Sequence, residues 1–333
     1  MNNSARKREA WIDVVKGLGI IFVVIGHVNT EGFLLQWIYT FHMPLFFALS
    51  GFLLKKFSAD VSFGKFFLKR TQTILWPFVL FRILLFVYWI IVESHFRPMD
   101  LGPIWFLIVL YIVELIAYPV LIKGTDVQSV VVKMICLALL LWISMKDILP
   151  VNFFTAWGVR CLNGLFWYIV GYQFGVVGGD LKNNSQRAVV ILGLFISSII
   201  TAYMNPGVSL WSNSYGKNFL LYLFGGIVGT MWLGTLCKSF ISRNSFLELL
   251  GKNTITILAV HEPIKRIVLK IIETIANCFG IGITILEIQE NTVCALGVVV
   301  IVVACSVGVI TVLRWIKSYM PLNVKNNWMG FIR

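Results

Sequence analysis

Long apolar runs alternate along this chain with short stretches that hold most of its charge. A helix that crosses a bilayer needs about 20 mostly apolar residues. Ten runs of roughly that length can be marked out, at residues 11–28, 33–54, 74–94, 103–122, 128–146, 158–177, 188–204, 218–237, 253–276 and 291–313. The tenth carries no charge between Thr292 and Leu313, whereas the fifth and ninth are the weakest. The pattern predicts an all-α, polytopic membrane protein of about ten transmembrane helices. The loops are short, the longest being about 55–73, 95–102 and 205–217, so the whole chain, 1–333, reads as one integral-membrane domain.

Composition strengthens that picture. The 333 residues are 58% hydrophobic and only 13% charged, against roughly 25% charged in soluble chains. The mean hydropathy is +0.85. One oily soluble α/β domain could not bury that much apolar surface. The basic N-terminal stretch "MNNSARKREAW" is followed by an apolar run with no small-residue cleavage site, so that run is expected to be kept as a span.

Charge sets the expected orientation. With the N-terminus in the cytoplasm and spans alternating, 18 Lys and Arg fall on the cytoplasmic side, 7 on the other, and three (Lys16, Arg82 and Lys133) inside spans. This bias predicts both termini in the cytoplasm. The net charge of +13 does not point to nucleic acid, because the cations punctuate apolar runs and form no single patch. The six cysteines are scattered, with no metal-ligand spacing, and read as membrane-packing residues.

Ionisable groups inside a membrane are costly and by default mark function. Here they are Asp13, Lys16, His27, His42, Arg82, Glu114, His261 and Glu262. In "KGLGIIFVVIGHV", eleven positions separate Lys16 from His27, which puts them within about 20° on one helix face and about 16 Å apart along the axis. Asp13 extends the stripe toward the cytoplasm. A polar stripe is penalised against lipid, so it is expected to face the bundle interior or a cavity. Snorkelling explains Lys16 equally simply, and an interhelical hydrogen bond explains His27.

In "FHMPLFFALSGFLLKK", His42 precedes Pro44, which favours a kink or a broken helix. The loop with Lys55, Lys56, Lys65, Lys69 and Arg70 is chiefly a positive-inside signal, although Arg70 lies where it can reach a phosphate. Arg82 needs an acceptor, and Glu114 is one candidate. In "GKNTITILAVHEPIKR", Asn253 or Thr254 can cap a helix carrying His261 and Glu262. After Pro263 that helix either opens toward an outer cavity or bends into the interface. The glycines Gly17 and Gly19 read as helix-packing positions, not as a phosphate loop.

Six stretches occur together and in order: "WIDVVKGLGIIFVVIGHV", "FHMPLFFALSGFLLKK", "FFLKRTQTILWPF", "GPIWFLIVLYIVELIAYP", "FWYIVGYQFG" and "LGKNTITILAVHEPI". On these, spanning about residues 11–264, the chain resembles the acyltransferase-3 family of membrane O-acyltransferases, in its fucose 4-O-acetylase-like branch. The usual family pattern is an arginine, ten residues and a histidine. Here Lys16 stands in the arginine place, keeping the charge but losing the planar fork.

The resemblance implies about ten helices in a bacterial cytoplasmic (inner) membrane. It implies acetyl transfer from cytosolic acetyl-CoA to a hydroxyl of an envelope or exported sugar, free or lipid-linked. No tightly bound cofactor or metal is expected. His27 would be catalytic, with Lys16 and His261 at matching motif positions. Lys69 and Arg70 would meet the donor phosphates. His42, Arg70, Arg82, Trp105, Glu114 and Glu262 would bind substrate or orient His27, and Trp105, Trp167 and Tyr168 could stack on sugar rings. His27 would either deprotonate the hydroxyl or briefly carry the acetyl group. The competing readings are a transporter or flippase for a polar glycan-related solute, and a non-enzymatic glycan-binding scaffold.

Overall fold

The computed structural model describes residues 9–57, 61–94, 101–122, 127–144, 152–178 and 183–320. Helices α1 (Ala10–Val28) and α2 (Phe33–Phe57) open the chain. Helix α3 (Phe63–Arg70) passes through a π-helical turn, Thr71–Leu75, into α4 (Trp76–Ile91). A 3₁₀ turn, Gly102–Ile104, leads into α5 (Trp105–Ile122). Then come α6 (Val127–Ser144), α7 (Phe153–Phe174) and α8 (Asn184–Met204). A hairpin of β1 (Val208–Ser209) and β2 (Ser214–Tyr215) pairs Val208 with Tyr215. It precedes α9 (Phe219–Ser239), α10 (Ser245–Lys252), α11 (Thr254–Cys278), α12 (Ile285–Glu290) and α13 (Thr292–Tyr319).

Each of the ten predicted spans lies on one helix: α1, α2, α4, α5, α6, α7, α8, α9, α11 and α13. Among the described residues, seven helical segments are long and apolar enough to cross a membrane: α1, α2, α3–α4, α5, α8, α9 and α13. The protein is therefore a multi-span, all-α membrane protein. The apolar part of α6 is shorter. Helices α7 and α11 are long but carry polar residues, among them Arg160 and Asn163, and Glu262, Lys265 and Arg266. Residues 145–146 of the fifth predicted span lie outside the described residues. So do Arg6, Lys7, Arg8, Arg97, Lys123, Lys146, Lys182, Lys325 and Arg333 of the charge pattern.

Burial shows which helices are central. In α1 and α2, 72% of the apolar window is buried within the protein, but in α8 only 22%. The exposed residues Val189, Leu192, Ile196 and Ile200 of α8 recur at helical spacing, which makes one continuous stripe for lipid chains. Between α1, α2, α8 and α9, Phe22, Trp37, Phe41, Phe195 and Trp232 form an aromatic core, with neighbouring ring centroids 5.2–6.3 Å apart. Edge-on and tilted contacts of this kind suit the ring quadrupoles.

Several expectations need correction. Of the two outcomes expected at Pro44 the break is absent: helix α2 runs through it, held by the packing of α7 and α9 along it where one backbone donor is missing. The third span does not begin freely at residue 74, since α3 and the π turn feed it directly. Asn253 does not cap α11 with its side chain; its Nδ2 donates to Leu249 O at 2.8 Å and closes α10 instead. Beyond Pro263, where the sequence leaves two courses open, α11 stays helical to Cys278.

The closest backbone approach between α2 and α7 depends on Gly51 and Gly171. A Cβ at Gly51 would lie 1.9 Å from Tyr168 O, and one at Gly171 would lie 1.9 Å from Ala48 O. Both clashes are with backbone, so a shift of a whole helix is the only relief. Gly171→Ala is expected to destabilise the protein by about 1–3 kcal/mol. A lower unfolding temperature in detergent checks this; an unchanged one would show that the two helices can separate freely. Gly17 likewise touches the Leu247 carbonyl of α10, which bears out its reading as a packing residue.

Candidate active site

His27 lies one residue from the end of α1 and stays partly exposed while the residues on either side of it are buried. The His261 ring of α11 faces it, with centroids 5.0 Å apart and planes at 61°. His261 is fully buried. Its Nδ1 is 3.0 Å from Ile257 O, and because a carbonyl only accepts, Nδ1 carries the proton. That leaves Nε2 with a bare lone pair, and this atom is buried with no hydrogen-bond partner. A buried, unpartnered nitrogen beside a partly exposed imidazole is an arrangement suited to accepting a proton.

A third histidine is near. His42 of α2 is buried, and its Nδ1 is 2.9 Å from Ile38 O, so it too is held in one tautomer. The charges of His261, Lys265 and His42 all act on His27. Tyr39 packs on His42 with centroids 4.9 Å apart and donates to Gly26 O at 3.2 Å.

The end of α1 leaves carbonyls that no helical donor reaches. Lys265 Nζ donates to His27 O at 3.1 Å, and Gln289 Nε2 of α12 donates to Val28 O at 2.9 Å. Lys265 also pairs with Glu262 at 2.8 Å, and Arg266 Nε contacts the other Glu262 oxygen at 3.0 Å. The Arg266 guanidinium stacks on Trp89, 4.6 Å from its centroid. Lys265 thus fastens α11 to the backbone of the residue that carries the imidazole. Donor atoms of His27, His261 and Glu262 lie within 4.8 Å of one another, a spacing that can suit a metal. Glu262 is already neutralised by two cations, however, so a divalent ion there would meet net repulsion. The set is better suited to proton handling.

The other predicted residues divide into separate places. Glu114 does not join the histidines and does not serve Arg82. Its Oε2 is 2.8 Å from Arg70 Nε, in a buried ion pair. The charges of Arg70 and Lys16 both act on Glu114. The π turn explains Arg70: the amphipathic α3 buries Phe66 against Tyr118, with centroids 4.2 Å apart, and turns Arg70 inward over the Phe66 ring. Lys69, one residue earlier, is exposed. Arg82 lies over Phe86, 5.8 Å from its centroid. Trp167 is wholly buried and donates to Tyr222 OH at 2.7 Å, so it offers no face to a sugar. Tyr168 is also wholly buried, which removes it as a stacking platform. Trp105 is 7% exposed and packs against Trp211.

Asn29 escaped the sequence reading, and Tyr168 entered it only as a stacking ring. The Asn29 side chain, two positions after His27, is buried with neither amide atom partnered, and the buried Tyr168 hydroxyl is likewise unpartnered. Nothing in the sequence separates Asn29 from an ordinary helix-end residue, or Tyr168 from a core aromatic.

At the start of α1, Lys56 and then Trp11 bond the Glu9 carboxylate and hold it below the usual carboxylate range. A cavity of about 270 Å³ opens there, lined by Glu9, Trp11, Phe52, Lys56 and Lys238 among others. It does not include Lys16, Lys69 or Arg70.

The acyltransferase domain family matches residues 9–313. The chain is also similar to Nodulation protein NolL of Sinorhizobium fredii (strain NBRC 101917 / NGR234), being 47% identical over a segment covering 15% of this chain and 16% of that protein. The match therefore spans less than a fifth of that relative. No solved structure matches. A family match over nearly the whole length, on a helical membrane bundle whose histidines converge, makes the chain a member of the acyltransferase-3 family.

Proposed function

We propose that this protein transfers an acetyl group from cytosolic acetyl-CoA to a hydroxyl of a cell-envelope or exported sugar, within the bacterial cytoplasmic membrane. The observation that carries the reading is the free Nε2 of His261 beside the His27 ring. Transfer from a thioester needs a base at the alcohol and a place for the leaving thiolate's proton. In direct transfer, the sugar oxygen attacks the acetyl carbonyl and its proton passes to an imidazole. A C–O bond forms, the C–S bond breaks, and the imidazolium returns the proton to the CoA thiolate. A brief acetyl-imidazole intermediate satisfies the same balance in two steps.

Lys16 and Arg70 support a cytosolic entry for the donor. Both lie toward the cytoplasmic end predicted from the Lys and Arg bias. Glu114 already engages Arg70 Nε, so the guanidinium offers a donor phosphate only its remaining edge. Lys69, exposed beside it, is the freer cation.

The test uses purified protein in lipid nanodiscs, labelled acetyl-CoA and glycans extracted from a deletion strain. Label should appear on glycan with the wild type and fall sharply with His27→Ala. Movement of unmodified glycan across the bilayer with no label transferred would favour a transporter instead. Binding of glycan with neither transport nor transfer would favour a scaffold.

A further inference from the structure

Opposite the donor end, three tryptophans from three separate elements gather around one arginine. Arg160 is two turns into α7. Its guanidinium lies 4.1 Å from the Trp211 ring centroid, 5.0 Å from Trp157 and 6.0 Å from Trp105. Trp211 is on the hairpin turn between β1 and β2, Trp157 is one turn before Arg160, and Trp105 begins α5. Trp105 and Trp211 rings are 5.6 Å apart, and Trp157 and Trp211 rings 6.3 Å.

We infer that this arginine–tryptophan shelf is the platform on which a sugar ring of the acceptor stacks before its hydroxyl reaches the histidines. The inference rests on the acyl-transfer reading above.

The shelf is built rather than incidental. Arg160 Nε and Nη2 both donate to Trp211 O, at 2.9 and 2.6 Å. Asn213 Nδ2 donates to Ala156 O at 3.1 Å and ties the hairpin to α7. Buried Asn205 braces its base, donating to Tyr215 O at 3.0 Å and accepting from Asn218 N at 2.7 Å. With the loop fixed this way, Trp211 is nonetheless 44% exposed. A rigid, half-exposed indole loses little entropy when a partner covers it.

The chemistry suits a sugar. The C–H face of a pyranose ring packs on aromatic carbon, and its hydroxyls need fixed donors at the edge. Arg160 spends two of its nitrogens on Trp211 and retains Nη1 for such a hydroxyl. Ordinary interfacial tryptophans anchor a protein at the headgroup level and stand around its rim. Trp105 is 7% exposed, so at least one wall of this shelf faces protein instead of lipid. The location fits too. The Gly102–Ile104 turn just before Trp105 packs on α11, the helix that carries His261.

The test uses the full-length protein in nanodiscs on an array of bacterial mono- and oligosaccharides, followed by acetyl-transfer kinetics on extracted envelope glycan. Trp211→Ala and Arg160→Met are expected to weaken array binding, and to raise KM for glycan by about tenfold or more with kcat little changed. Trp211→Phe, which keeps an aromatic face, should recover most of the binding. KM for acetyl-CoA should not move. The proposal is overturned if folded Trp211→Ala retains the wild-type glycan KM, or if wild type binds no glycan on the array. Trp211-dependent glycan binding without any acetyl transfer would keep the shelf and remove the acyl-transfer reading.

Discussion

His27→Ala is expected to lower kcat/KM for acetyl transfer by about 10²–10⁴-fold, the range lost with a general base, while the unfolding temperature stays close to wild type. The folding part follows from exposure. His27 is only partly buried, and its side chain makes no hydrogen bond among the described residues, so truncation leaves no orphaned partner. His261→Ala should cost transfer on a similar scale. It should also leave Ile257 O without its side-chain donor, and so lower stability slightly.

The double variant decides whether the two rings work together. Groups acting as one unit are strongly non-additive, so His27→Ala/His261→Ala should be about as slow as the slower single variant. A multiplicative loss would mean independent roles. Full activity of folded His27→Ala would remove the histidine mechanism altogether. Initial rates with labelled acetyl-CoA, alongside thermal unfolding in the same detergent, give both readings from one preparation.

The second large effect is on stability. Glu114→Ala removes the carboxylate that faces Arg70 at 2.8 Å, where Glu114 is 1% exposed. Breaking one side of a buried pair leaves an uncompensated charge and is expected to cost about 3–5 kcal/mol. Replacing both sides with apolar residues of similar size, as in Arg70→Met/Glu114→Leu, removes that charge and should recover much of the loss. Denaturant or thermal unfolding of Arg70→Met, Glu114→Leu and the double variant forms a complete cycle. Equal stability of Glu114→Ala and wild type would show that water already solvates the pair. Recovered stability with transfer still lost in the double variant would show that the pair serves the reaction as well as the fold.

Much of the architecture was legible because one physical quantity sets it. About 20 apolar residues span a bilayer, so each of the ten runs returned as a helix. Lipid-facing stripes such as Val189, Leu192, Ile196 and Ile200 follow from the same rule. The short helix α3 was missed, although Phe63, Phe66, Phe67 and Arg70 stand at helical spacing. Its charge reads as an orientation signal and, at Lys69 and Arg70, as a phosphate contact, and neither reading calls for a helix. At Pro44 local chemistry allows a kink or a break, and the neighbouring helices keep the helix continuous.

The sequence by itself determined the helices, the stripe that puts Lys16 and His27 on one face of α1, and the resemblance that marked His27 and His261. Periodicity and chain order carry that information along a single helix. Only the tertiary structure decided which polar groups meet. Glu114 went to Arg70 and not to the histidines, Lys265 became the clamp on the end of α1, and Trp105 joined Arg160 and Trp211 instead of His27. The rotation and depth at which two helices pack are set by distant contacts such as Gly51 against Tyr168 and Gly171 against Ala48. No pattern within one helix encodes where its polar face will find a partner.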